Sequence, residues 1–315
     1  MDSSADSMAP WMRRLRLRHL EVLLAISANG SLTAAAEALE ASQPSISQWL
    51  ADIEAALGVR LYERGRQLTP TTYLEPVLRH ARIMVNESKR LRSELAAVAS
   101  GGDGLVRLGA MHVAGPALVP QAICRIKAAS PGTRIELVED IAAGLWPKFE
   151  RNELDVLVTR IDARAFETDR CHESLYPDRH CVIAGMHHPL SRMRRPGWRD
   201  AAPFPWILPP AATALRRSID ATFIAEHLAP PSPWLESVAM TANTAILGKT
   251  ECLAVVSGSL ARHLEKAGAV EIIDLRLTAD IGPVGMVWRS ADAAPAIRDT
   301  LAALRTVAKG QARRI

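Results

Sequence analysis

The chain has 315 residues, 48% apolar and 23% charged, with a formal net charge of +4; two or three domains of a soluble globular protein are expected from that length and composition. No apolar run nears the roughly 18 residues that span a bilayer, and the N-terminus MDSSADSMAPWMRRLRLRHL carries acids where a signal peptide needs bases, which points to a cytoplasmic protein with no membrane partner. The small charge excess permits nucleic acid as a partner without indicating it.

Residues 1–14 read as a disordered tail. From Leu15 to about position 72 the pattern is helical. Leu17, Leu20, Leu24 and Ser27 share a helix face that Asn29-Gly30 ends. Ser31 caps a second helix with Leu32, Ala35, Ala36 and Leu39 inward. Ser42 caps a third, Pro44 sits in its first turn, Ile46, Leu50, Ile53 and Leu57 line its core face, and Gly58 closes it. The segment VRLYERGRQLTPT predicts two short strands around a basic turn, a wing.

Over 73–104 the pattern changes. Leu74, Val77, Ala81, Met84, Ser88, Leu91, Leu95 and Val98 repeat at spacings of 3 and 4, the mark of a helix pairing with another helix. A long helix lying on its own domain is the competing reading. Ser100-Gly101-Gly102-Asp103-Gly104 forms a linker.

Beyond it, strands alternate with helices. LVRLGA, IELVED and LDVLVT with helices around 116–129 and 145–152 predict βαβαβ and a parallel sheet covered on both faces. Strands follow at 181–185, 205–208, 252–257 and 270–274, with helices near 213–228, 241–248 and 258–267, then the strand GPVGMVWR and a helix from Pro295. Two lobes around a cleft are expected within 105–315: lobe I at about 105–162 and 282–315, lobe II at about 163–281.

The tip of the third helix, SQPSIS, carries small hydrogen-bonding side chains instead of charges. Helix N-terminal N–H groups and serine hydroxyls grip phosphates, and glutamine can bond base edges. Two helices joined by a tight turn, the second aimed at the major groove, make a helix-turn-helix. A small helical domain that merely happens to have a Ser-capped helix would share this spacing.

The runs RHLEVLLAISANGSLTAAAEAL and SQPSISQWLADIEAALGVRLYER, with T-P-T after the wing, resemble LysR-type transcriptional regulators. The resemblance spans the whole chain. It implies an N-terminal all-α winged helix-turn-helix, a long linker helix, and an α/β two-lobed, periplasmic-binding-protein-like effector domain. HPL at 188–190 and PWILPPAATALRR are similar to the branch that holds regulators of sugar uptake and protocatechuate breakdown.

The resemblance places DNA contacts on Ser31, Thr33, Ser42, Gln43, Pro44, Ser45, Ser47, Gln48, Arg64, Arg66 and Thr69. It also implies promoter DNA, a small-molecule effector and RNA polymerase as partners. The effector would be a sugar or a carboxylic or aromatic acid. Pairing through helix 74–98 would give a homodimer, and effector domains would join dimers into a homotetramer that bends the promoter. Where relatives often carry Arg or Lys behind the tip, this chain has Gln48, Trp49 and Asp52, so a shallower salt dependence is expected.

For the effector, relatives often offer Ser or Thr where this chain has Ala114-Gly115, His112 is the nearest polar substitute, and Arg160 follows LDVLVT as a hinge-edge cation. Thr213, Thr241, Asn243 and Thr244 begin helices expected to face the cleft from lobe II. Cys171-His172, His180-Cys181 and His187-His188 match no standard zinc spacing. With Cys124 and Cys252 the cysteines are scattered, which argues against a disulfide framework. No G-x-S-x-G, G-x-G-x-x-G or P-loop occurs, so neither catalysis, cofactor nor metal is expected. The reading from another class is a small-molecule-binding module whose helical head contacts protein.

Overall fold

A computed structural model of the chain describes residues 14–63, 65, 68–99, 102–112, 114, 118–278, 282–289 and 294–312. It divides into two units, one of residues 1–96 with 150–153, the other of residues 97–149 with 154–315. The tail expected over residues 1–14 lies, but for Arg14, outside the described residues.

In the first unit, α1 (Leu17–Asn29), α2 (Leu32–Ala38) and α3 (Gln43–Leu57) surround a core of Leu23, Ile26, Ala35, Ile46 and Ile53. Gly30 and Gly58 end α1 and α3 at φ of 67° and 71°. That left-handed conformation costs other residues about 1 kcal/mol or more and glycine almost nothing. Ser31 Oγ accepts from Ala34 N at 3.1 Å, and Ser42 Oγ accepts from Ser45 N at 3.3 Å. Strands β1 (Tyr62–Glu63) and β2 (Thr69–Pro70) pair antiparallel as the wing.

Helix α4 (Leu74–Ala99) corrects the uniform seam that its heptads suggested. Leu74, Leu78 and Ala81 are buried in the unit's own core, with Ala81 and Val85 against Leu20 of α1. Farther along, Met84, Leu91 and Leu95 are exposed at 41%, 57% and 61%. The first part of the helix therefore packs on its own domain, and the second part leaves an apolar stripe exposed.

The second unit holds two five-stranded sheets. The first runs β4 (Arg134–Glu139), β3 (Leu105–Ala110), β5 (Val156–Arg160), β12 (Val284–Arg289), β6 (Arg170–Tyr176). Strand alternation splits its side chains. Val156, Val158, Val284 and Met286 join α5 (Leu118–Ala129) and α11 (Pro295–Ala312) in one core. Leu157 and Val287 pack with Leu145, Trp146 and Phe149 of α6 (Ala142–Glu150) on the other face.

Two expectations change. The sheet is mixed, because β12 enters antiparallel to both β5 and β6 after the chain returns from lobe II. The lobe boundary also moves. Residues 163–176, assigned to lobe II from sequence, include β6 at the edge of the first sheet. RCHESLY is too polar to stand out as a strand; at the sheet edge only its Tyr176 is buried, and its polar side chains stay partly exposed.

The second sheet runs β11 (Glu271–Ile273), β7 (His180–Ala184), β10 (Leu253–Ser257), β8 (Trp206–Leu208), β9 (Pro233–Glu236). One face carries the rings of Trp198 in α7 (Trp198–Ala201), Trp206 and Phe223 of α8 (Ala214–Ala225). The other packs Leu247 of α9 (Met240–Leu247) and Leu260 of α10 (Gly258–Lys266). The chain passes between sheets twice, at 177–179 and at 274–283.

Candidate functional site

At the tip of α3, Ser42, Gln43, Pro44, Ser47 and Gln48 are exposed and Ser45 is half-buried. The hydroxyls of Ser42 and Ser45 lie 2.8 Å apart. Gln48 Nε2 donates to Asp52 Oδ1 at 2.9 Å, so the acid behind the tip occupies part of that amide. Ser31 is half-buried at its cap position, whereas Thr33 and Thr69 are exposed. Trp49 packs on the core under Arg18, whose guanidinium lies 5.0 Å from the ring centroid. Arg64 and Arg66 lie outside the described residues.

The second unit contains a cavity of about 720 Å³ between the ends of strands from both sheets. Lobe I contributes Met111 and His112 after β3, Asp140 and Ile141 after β4, and Thr159, Arg160 and Asp162 from the end of β5. Lobe II contributes Pro209, Thr213 and Ser237 near the ends of β8 and β9, Asn243 in α9, and Ser257 of β10. Ligands of open α/β sheets bind at such strand ends. The lining is mostly apolar, with Ile207, Leu215, Val238 and Leu260 among its side chains.

His112, Arg160, Thr213 and Asn243 thus meet at one cavity. Thr241 and Thr244 do not. They line a separate shallow groove with Lys249 and Leu264. The reason is helical phase. Helix α9 starts at Met240, and its residues 243 and 247 face inward while Thr241 is exposed. Thr244 Oγ1 donates to the Met240 carbonyl of its own helix. Asp140, Asp162, Arg164, His180 and Arg217 also line the cavity and were not legible as a set, because they come from separate loops, a strand and a helix that only the folded chain brings together.

Arg160 ties the hinge. Its Nη2 donates to the Asp178 carbonyl at 2.7 Å and its Nη1 to the Gly282 carbonyl, so one guanidinium holds both passages between the sheets. His180 Nε2 lies 3.5 Å from the same guanidinium. Burial, reinforced by that positive charge, pushes the imidazole down to about 3 and keeps it neutral. Asp178 accepts from Ser259 N at 3.0 Å and from Ser259 Oγ at 2.7 Å, and burial nevertheless raises its carboxyl. At the cavity wall Arg164 is bonded to Asp162, Nη2 to Oδ2 at 2.6 Å, and its guanidinium lies 4.7 Å from the Trp146 ring centroid. Burial works against the Asp162 carboxylate, but Arg164 outweighs it and the pKa is lowered.

The cysteine–histidine pairs fall apart in space. Cys171-His172 lies on β6, His180-Cys181 on β7, and His187-His188 after β7. Among the described residues no His, Cys, Asp and Glu group has the geometry to hold a metal ion. No helix among them is long and apolar enough to cross a membrane.

A DNA-reading winged helix-turn-helix followed by a two-lobed small-molecule fold defines a ligand-responsive transcription factor. Residues 17–73 match the family of bacterial regulatory helix-turn-helix proteins of the lysR type, and residues 99–309 match the LysR substrate binding domain. The chain belongs to the LysR family of transcriptional regulators, which bind promoter DNA and small-molecule effectors.

Similar proteins include the transcriptional regulator GbpR of Azospirillum brasilense, 29% identical over 308 residues, covering 96% of this chain and 89% of GbpR. PcaQ of Agrobacterium fabrum is 24% identical over 286 residues, covering 90% and 92%. In fold, the crystal structure of CbnR, a LysR family regulator, superposes with a TM-score of 0.68 at 17% identity, covering 93% of this chain and 99% of CbnR.

Proposed function

We propose that this regulator reads its operator with Gln43 and the serines of the α3 tip, and that a small molecule enclosed by the two lobes controls it. Ser42, Ser45, Ser47 and Ser31 hold phosphates beside the helix N-termini, Gln43 and Gln48 face base edges, and Arg64, Arg66 and Thr69 hold the flanking backbone. His112, Arg160, Thr213 and Asn243 face the effector. The observation that carries the reading is the cleft cavity at the strand ends of both lobes, with Arg160 among its lining residues.

A ligand acts through its different affinity for the open and closed lobes. The protein works as a homo-oligomer paired through the exposed stripe of α4, in the cytoplasm, without catalysing a reaction. Two recognition helices then meet half-sites one turn of DNA apart. RNA polymerase is a further partner. Fluorescence anisotropy on DNA from upstream of the gene, against shuffled DNA at two salt concentrations, tests this. A preference of about a hundredfold, about 2.7 kcal/mol, is expected. Equal binding to both sequences would overturn it.

A further inference from the structure

One cation at the cavity has a hydrogen-bonding edge to spare. Arg217, in the first turn of α8, lines the cavity, and its Nη1 donates to the Ala212 carbonyl at 2.8 Å. That bond pins the guanidinium to a turn that is itself part of the cavity wall. Its Nε and Nη2 have no acceptor among the described residues. Arg164 shows what this edge can hold: its Nε lies 3.2 Å from Asp162 Oδ1 and its Nη2 2.6 Å from Asp162 Oδ2. Such paired bonds are the ones a planar guanidinium offers a carboxylate.

The other charges at the cavity are already answered. Arg164 is neutralised by Asp162, Arg160 holds the hinge carbonyls, and His112 Nδ1 lies 3.0 Å from Glu139 Oε1. The Asp140 carboxylate accepts from Ile141 N at 2.7 Å and packs on Gly144 in the first turn of α6, whose positive end offsets it. Three arginines against two aspartates leave the lining with positive charge in excess.

We infer that Arg217 receives the carboxylate of a small monocarboxylic acid, through paired bonds from Nε and Nη2, while the apolar body of the acid lies on Ile207, Val238 and Leu260. The inference rests on the effector reading of the cleft. A second carboxylate would have to shed its water against apolar side chains or beside Asp140. A neutral ligand leaves the guanidinium edge unused, and an ammonium group is repelled by it.

Thermal shift and titration calorimetry on the full chain test this with matched pairs. Hexanoate, phenylacetate and cyclohexanecarboxylate are each set against the neutral amide, with succinate and inorganic phosphate as further anions. At least one monocarboxylate is expected to bind and raise the melting point, with its amide, succinate and phosphate tenfold or more weaker. In Arg217→Gln the acid should lose tenfold or more and bind no better than its amide. Arg217→Lys, which keeps the charge without the paired donors, should retain a smaller preference for the acid. A side chain that only braced the fold would weaken acid and amide alike and leave their ratio unchanged. The inference is overturned by amides binding as well as acids, by an acid preference that survives Arg217→Gln, by succinate or phosphate binding as tightly as the monocarboxylates, or by no binding of any probe. Binding of the amides would leave the effector reading of the cleft standing while removing Arg217 from it. Operator binding by the parent chain, measured in parallel, shows whether the regulator reading stands when no probe binds.

Discussion

The Glu54 carboxylate, near the end of α3, accepts the backbone N–H groups of Leu61 at 2.7 Å and Tyr62 at 3.1 Å. The recognition helix and the wing are thereby fixed to each other by one side chain. Glu54→Ala leaves both N–H groups without their acceptor. It should cost about 1–3 kcal/mol of stability and weaken DNA binding through a loosened wing, as read by urea denaturation and anisotropy. An unchanged denaturation midpoint would remove Glu54 from this role.

Base reading and backbone grip separate in two substitutions. Gln43→Ala should lose discrimination between operator and shuffled DNA, worth about 1–3 kcal/mol. Arg64→Ala should weaken both sequences alike and flatten the log–log salt slope by about 0.9. Equal losses on both sequences for Gln43→Ala would sink its base-reading role.

Leu91 and Leu95 expose an apolar stripe on a helix whose neighbouring turns are already buried. Replacing both with Glu places like charges at a pairing seam, so sedimentation should show monomers where the parent chain is at least dimeric. Dimers that persist would move the pairing surface elsewhere.

His180 makes stability depend on pH. Folding holds its imidazole near 3, through burial and Arg160, while the unfolded chain takes up a proton there below about 6.5. Its contribution is therefore complete above pH 6.5 and declines as pH falls toward 3, by up to about 1.4 kcal/mol per pH unit. Urea midpoints at pH 7.5, 6.5 and 5.5 should fall less steeply for His180→Gln than for the parent chain. Parallel profiles would refute the assignment.

Arg160→Met removes the donors to the Asp178 and Gly282 carbonyls. Each such bond to a charged group is worth about 1.5–3 kcal/mol. The variant should unfold earlier and show faster amide exchange at 177–179 and 282–284. Exchange unchanged at both passages would mean that the hinge is held by other contacts.

The most legible elements had local causes. Gly30, Gly58, Ser31 and Ser42 end or start helices through backbone conformation and caps that a few neighbouring residues determine. The central strands β5 and β10 are buried along their whole length and read as continuous apolar runs. The edge strands β6 and β9 did not stand out, since one carries Arg170, His172 and Glu173 and the other begins with Pro233. Of the cavity residues, Arg160 and Thr213 followed from strand and helix ends. Thr241 and Thr244 failed because, at about 100° per residue, they lie about 200° and 100° round the helix from Asn243 and cannot share its cavity-facing side. Asp140 and Asp162 become neighbours of Asn243 only when two sheets meet, and no local pattern encodes that.

The strand order of the first sheet also bears on how the protein is made. Strand β6 borders only β12, and β12 lies between β5 and β6. Tyr176 leaves the ribosome roughly 100 residues before Val284 does, an interval on the order of 5–20 s at ordinary elongation rates. Throughout it the nascent first lobe offers a gap at the flank of β5, while the second lobe can complete all five of its strands. The small-molecule domain thus cannot mature in the order in which it is translated: the later-begun lobe can finish first, and the earlier one waits, exposed to strand-mediated misassociation, for almost the last segment of the chain.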